Sequence, residues 1–342
     1  MTATTERKKP QVHPVDEQWL ALGAEAAISP QIDIIDSHIH LWDFSDPPYF
    51  ADSYRRDAAS AGIGKSVYVD CTMAYRQSGP EALEPVGEME FVAEQVISAA
   101  GHGVDVAAGI IGWADLTLGD RVGEVLDALA QAGGANYRGV RTRANSDPDP
   151  VAGYGPQGTV PGLLLRDDYR RGLEQVQARG LAFDLYAFHT QLHEVADLAR
   201  AFPDLPIALN HSGGPIGVGR YAAIRDQVHA EWLDGMADVA ICPNVSVKVC
   251  GFAISRIAII PTTPRERPFS SPEVADLCRP WTDPCLELFG ADRCLFGSNF
   301  PVDKVALPLL TLVNAMKLLT AGLGADGQQR FFADNARAFY RL

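Results

Sequence analysis

Short apolar runs recur along this chain at intervals that a strand followed by a helix would occupy. Eight of them read as strands: 32–37, 65–71, 104–112, 137–143, 181–187, 206–211, 244–250 and 292–297. In the gaps, 88–100, 120–132, 168–179, 191–202, 222–240, 273–289 and 304–321 carry apolar residues three and four apart, the spacing of helices buried on one face. Strand and helix alternating eight times predict a parallel sheet closed on itself. An open doubly wound sheet is the competing arrangement, but no GxGxxG follows the first strand. The expectation is an α/β fold, a (β/α)8 TIM barrel with long loops at the carboxyl-end face. The stretches 72–87, 144–166 and 251–270 supply those loops, because connections after a barrel strand emerge at that end and shape its pocket. Residues 1–30 read as an N-terminal extension, with the amphipathic piece Asp16–Leu22 as a lid or brace, and 31–342 as a single barrel domain.

Candidate chemistry collects at the predicted strand ends. His38 and His40 leave the first strand two residues apart and so share a face. Arg141 and Arg143 stand in the same relation on strand four, a fork suited to a carboxylate, with salt bridges to barrel carboxylates as the alternative. His189 follows strand five, His211 ends strand six, and Asn299 and Asp303 follow strand eight. Four of the eight histidines thus converge on one rim, where barrel enzymes assemble their catalytic groups. Asp70 and Asp184 read as buried hydrogen-bonding groups, and Lys248 as a cation snorkelling from a strand end. Gly213-Gly214-Pro215 is followed by no GKS or GKT, so it is not a nucleotide loop, and no Gly-x-Ser-x-Gly elbow is present.

Composition narrows the partners. A net charge of -14 argues against nucleic acid and against an anionic membrane, and no apolar run is long enough to span a bilayer. The six cysteines have neither CxxC spacing nor a regular framework, and no secretory signal precedes the fold, so a reducing, cytoplasmic setting is expected. The expected partner is a small molecule, anionic or a cyclic ester. A homo-oligomer stays compatible with the sequence.

The phrases IDSHIHLWD, FDLYAFHTQL, LNHSGGP, LFGSNFPVDK and DNARAFYRL, in that order from the first strand to the end of the chain, resemble the amidohydrolase superfamily. The likeness is to its lactonase-like branch, with L-fuconolactonase, sulfomuconolactonase and 2-pyrone-4,6-dicarboxylate lactonase, and covers about residues 30–342. It implies a TIM barrel, His38 and His40 as the strand-one pair, His211 as the strand-six histidine, and His189 where a metal-ligating histidine often follows strand five. It also places Tyr75 and Arg76 where members contact substrate. Asn299 occupies the position of the usual strand-eight aspartate. An amide cannot accept a proton from water as a carboxylate does, so Asp303 is the nearest substitute base, with helix capping as its other reading. Two electrostatic schemes remain open: a divalent metal, zinc foremost, held by His38, His40, His189 and His211, or a metal-independent site in which histidines and arginines polarise an anionic substrate. The expected function is hydrolysis of a lactone or related cyclic ester or amide, with His38, His40, His211, Asn299 and Asp303 catalytic and Tyr75, Arg76, Arg141, Arg143 and His189 binding substrate. The alternatives are a non-oxidative decarboxylase of an aromatic or unsaturated acid and a catalytically inactive ligand-binding barrel.

Overall fold

The computed structural model describes residues 12–28, 32–153 and 160–342. Eight strands lie parallel in chain order: β1 (Ile35–Ile39), β2 (Lys65–Val69), β3 (Asp105–Trp113), β4 (Tyr137–Arg143), β5 (Ala182–Tyr186), β6 (Ile207–Leu209), β7 (Val245–Val249) and β8 (Cys294–Phe296). The sheet closes between its ends just beyond β8, where Asn299 N donates to His38 O (2.8 Å) and His40 N to Phe300 O (2.8 Å). The expected eight-stranded barrel is therefore present. Its closing seam runs through the HxH pair and Asn299.

Helices α1 (Glu17–Ala21), α2 (Ala51–Ala61), α3 (Val86–Ala99), α4 (Val122–Gly133), α5 (Asp167–Ala178), α6 (Leu192–Ala201), α7 (Arg225–Ala240), α8 (Ser271–Phe289), α9 (Leu309–Leu319), α10 (Gly324–Gln329) and α11 (Asn335–Tyr340) accompany the strands. The sequence pattern omitted α2, whose buried face is only Ala51, Tyr54, Ala58 and Ala61. Three alanines give a helical stripe too little hydrophobic contrast to stand out. It also omitted α10 and α11, and α11 with the turn 330–334 before it closes the amino end of the barrel. There Ala333, Ala336 and Tyr340 pack on the inward-facing Ile35, Val67, Val69, Ile111, Ala182 and Leu295.

Above that apolar layer the interior turns polar. Lys248 Nζ donates to Asp184 Oδ2 (2.5 Å) and to Ser37 O (2.6 Å), while the Tyr340 hydroxyl donates to Asp184 Oδ1 (2.7 Å). Both charged side chains are wholly buried. Lys248 is thus an internal ion-pair partner rather than a snorkelling rim residue, because β7 points it inward and Asp184 on β5 meets it. At the carboxyl end, residues 12–28 run over the barrel body: Lys304 Nζ bridges Glu17 (2.8 Å) and Asp57 (2.7 Å), and Asn314 Nδ2 donates to Ala26 O (2.9 Å). All six cysteines are buried free thiols. Among the described residues, no helix is long and apolar enough to cross a membrane.

Candidate active site

A cavity of about 1000 Å³ opens at the carboxyl end of the barrel, with His40, Arg141, Arg143, Tyr186, His211 and Asn299 among its lining. The three long loops flank it as expected, contributing Thr72, Asn145 and Ala253 to Arg256, although residues 154–159 of the second loop lie outside the described residues.

The β1 histidines divide their work by depth. His40 lines the cavity, and its Nδ1 lies 2.8 Å from Val69 O. A carbonyl only accepts, so Nδ1 carries the proton and Nε2 keeps a lone pair. His38 lies beneath the cavity wall, its ring 5.0 Å from that of His40 and 4.7 Å from that of His211. Both His38 nitrogens are buried without a hydrogen-bond partner among the described residues. His211 is held in the left-handed region (φ 55°) at the turn after β6. Gly251 (φ 76°) gives it room: a Cβ there would sit 2.4 Å from His211 Nδ1.

The β4 arginines part company despite sharing a face. Arg143 donates to Asp70 Oδ1 (2.8 Å). Arg141 donates to Asp70 O (2.9 Å) and to His211 Nε2 (3.2 Å), both neutral acceptors. A guanidinium has no lone pair to offer, so His211 Nε2 accepts and its proton sits on Nδ1, facing Cys250 Sγ at 3.5 Å. Burial, then Arg141, lowers the His40 pKa to about 3. Burial also takes His38 and His211 well below their ordinary value, helped by Lys248 at the first and Arg141 at the second. All three imidazoles are neutral near pH 7. Burial and the neighbouring Arg143 bring Arg141 down to about 10, still cationic. Burial opposes ionisation of Asp70, but Arg143 prevails and its pKa is about 2.

Beyond β8, Asn299 adopts φ 59°, a conformation asparagine tolerates better than most residues. Its Nδ2 donates to Asp303 Oδ1 (2.8 Å), while Ala253 N donates to Asp303 Oδ2 (3.1 Å). Asp303 is fully buried, absent from the cavity lining, and pushed up to about 7 by burial. It ties the turn after β8 to the loop after β7. Nor does it cap the following helix: α9 starts at Leu309, after Pro308.

Three sequence candidates stand elsewhere. The His189 ring packs on Tyr221 (5.2 Å between centroids), Ile216 N donates to its Nδ1 (3.4 Å), and its Nε2 lies 3.8 Å from Glu231. It is absent from the cavity lining, because Tyr186 at the end of β5 takes the inward position and the chain then turns toward α7. Tyr75 is buried behind the wall, its hydroxyl donating to Asp70 Oδ2 (3.2 Å) and its ring stacked on Trp113. Arg76 is on the surface, paired with Glu90. Conversely, the sequence reading passed over Trp42, Tyr186, Arg256 and residues 12–15, all in the cavity lining. Continuing the β1 alternation through His40, Trp42 and Phe44 would have found the first of them.

One set of donors among the described residues has metal-binding spacing: His38, His211 and Cys250, with ligand atoms all within 4.8 Å. His38 suits an ion, being neutral and unpartnered. His211 does not as arranged, since Arg141 holds its Nε2 lone pair and the proton occupies the nitrogen facing Cys250. Burial also pushes the Cys250 thiol up to about 12, so it keeps its proton. An ion would have to displace the Arg141 contact and deprotonate the thiol.

Comparison with known proteins agrees with the fold. The chain is 30% identical over 334 residues to an uncharacterized protein of Sinorhizobium fredii, covering 91% of this chain and 99% of that one. It is 25% identical over 330 residues to an L-fucono-1,5-lactonase of Burkholderia ambifaria, covering 90% and 95%. A crystal structure of an amidohydrolase from Burkholderia multivorans with bound zinc superimposes with a TM-score of 0.69 at 21% identity, covering 91% of this chain and 99% of that one. The amidohydrolase family profile matches residues 35–342, the whole of the barrel from β1 onward, and the chain belongs to that family.

Proposed function

We propose that this protein is a hydrolase that opens a lactone or related cyclic ester by attack of water on a carbonyl held against Arg141. One observation carries the reading. Arg141 is a buried cation on the cavity wall whose hydrogen bonds, among the described residues, go to neutral acceptors, Asp70 O and His211 Nε2. A buried charge without a bonded counter-charge is costly, and an oxyanion forming at the cavity floor relieves that cost as it develops. This is stabilisation aimed at the transition state rather than at the substrate.

The remaining roles follow from proton positions. His40 offers its Nε2 lone pair to the cavity and takes a proton from the attacking water. Its low basicity arises from burial and from Arg141, and the growing negative charge beside Arg141 offsets the second of these, raising His40 basicity as the water attacks. Collapse of the tetrahedral intermediate breaks the ring C–O bond, His40 returns its proton to the departing alkoxide, and a hydroxy acid results. Arg141 and Arg143 face the product carboxylate. Asn299 lines the cavity with its amide fixed by Asp303, which acts as a positioning residue. A zinc ion would be held by His38 with His211 and Cys250 and would supply Lewis-acid polarisation, but Arg141 competes for the same imidazole. The family membership and the lactonase names of relatives at 23–25% identity support the hydrolase reading. A lactone panel followed by pH-stat titration tests it: one acid equivalent is released per ring opened. Replacement of Arg141 by glutamine should then lower kcat about a hundredfold or more, and a wild-type rate in that variant would overturn the assignment.

A further inference from the structure

The cavity is large and two-toned. Its volume of about 1000 Å³ lies at the upper end of the roughly 300–1,000 Å³ common for pockets that enclose drug-sized ligands, far more than one lactone ring fills. Polar groups line its floor and charged ones, among them Arg56, Asp57, Arg256 and Lys304, part of its outer wall, whereas one side of the route outward is aromatic. The His40 and Trp42 rings stack at 6.0 Å and 9°, and Trp42 meets Phe44 at 5.6 Å. Positions 40, 42 and 44 thus form a ladder from the reacting groups toward the mouth. Facing the same space are half-buried Val12 and Val15. These precede residue 35, where the family match begins, so this part of the wall belongs to the chain's own extension. It is held in place by the Glu17–Lys304–Asp57 bridge and by Trp19 Nε1 donating to Arg265 O (2.8 Å).

We infer that the substrate is amphiphilic: a lactone or ester head at Arg141 and His40, bearing an extended apolar substituent that lies along Trp42 and Phe44 beneath Val12 and Val15. The inference rests on the hydrolase reading for the head and on the apolar walls for the tail. Burial of each added methylene in such a channel tightens binding about fourfold.

The test uses γ-lactones whose alkyl tail grows one methylene at a time from methyl to octyl, together with their ring-opened hydroxy acids. Affinity of the full-length protein for the acids is measured calorimetrically, independently of turnover. Affinity is expected to rise about fourfold per methylene over most of the series, and the gain per methylene should shrink in Val12→Asp, which places a charge on the tail's path. Val15→Thr, nearly isosteric, serves as the milder variant, and thermal melts check folding of both. Affinity that stays flat with tail length, or that climbs equally in both folded variants and the wild type, overturns the proposal. Rising affinity for the acids with no hydrolysis of any lactone would remove the hydrolase reading while leaving the apolar channel standing.

Discussion

Replacing Asp303 by asparagine separates a base from a positioning group. In the wild type, both carboxylate oxygens accept, one from Asn299 Nδ2 and one from Ala253 N, and neither faces the cavity. An asparagine keeps one acceptor and turns one of these contacts into a clash of donors, unless Asn299 flips its own amide. The lost buried contact costs about 1–3 kcal/mol. Ionisation works in the opposite direction. Asp303 has a folded pKa of about 7 against an ordinary 3.8, so on raising the pH the unfolded chain releases this proton first. The wild type therefore loses stability between about pH 4 and pH 7, and the full penalty, of the order of 4 kcal/mol, stands above that window. Asp303→Asn lacks it. In urea unfolding, the variant should be less stable than wild type at pH 4 and should gain on it by several kcal/mol by pH 8, with kcat down by about tenfold as the Asn299 amide is repositioned. A stability difference that does not change with pH would refute the raised carboxyl, and a fall in kcat of about a hundredfold or more in a folded variant would restore Asp303 as the general base.

Three further outcomes are expected. His40→Ala should lower kcat by about two or more powers of ten, and His38→Ala by less, since His40 lines the cavity and His38 does not; steady-state kinetics on one lactone substrate checks the order. Chelator treatment should leave turnover intact, and Arg141→Gln, which frees His211 Nε2, should take up zinc about tenfold or more tightly than wild type; elemental analysis after equilibrium dialysis would contradict this if both bind one equivalent alike. Lys248→Met should destabilise the protein by about 3–5 kcal/mol, because Asp184 loses its buried ion-pair partner, and denaturant unfolding measures it.

The barrel was legible because every strand carries its own short apolar run, and residues on those runs find their partners by order alone. What the sequence could not carry was direction after a strand ends. His189 and Tyr186 lie three residues apart; the tyrosine, last in β5, points inward, and the histidine, past a turn of the backbone, faces α7. Tyr75 and Arg76 failed for a similar reason: a loop of adequate length reaches the rim, but Asp70 draws the tyrosine behind the wall and Glu90 draws the arginine to the surface. Asn299 and Asp303 show the converse. The sequence offered Asp303 as a substitute base or a helix cap, whereas the left-handed backbone at Asn299 turns the two side chains onto one another.

The charges inside the barrel explain why histidines so close together need not hold a metal. Two buried carboxylates meet two cations directly, Asp70 with Arg143 and Asp184 with Lys248. These pairs neutralise each other at bonding distance and leave Arg141 as the cation whose bonds end on neutral groups. Each imidazole near it is kept unprotonated by burial, since a second positive charge in the same low-dielectric space would raise the energy further. A divalent ion on His211 would face that same repulsion, doubled, from a guanidinium bonded to the same imidazole. An anion meets the opposite field. The sequence of this site, with asparagine where the resemblance leads one to expect a carboxylate, thus removes the negative charge that would favour a metal and keeps the positive charge that favours a developing oxyanion.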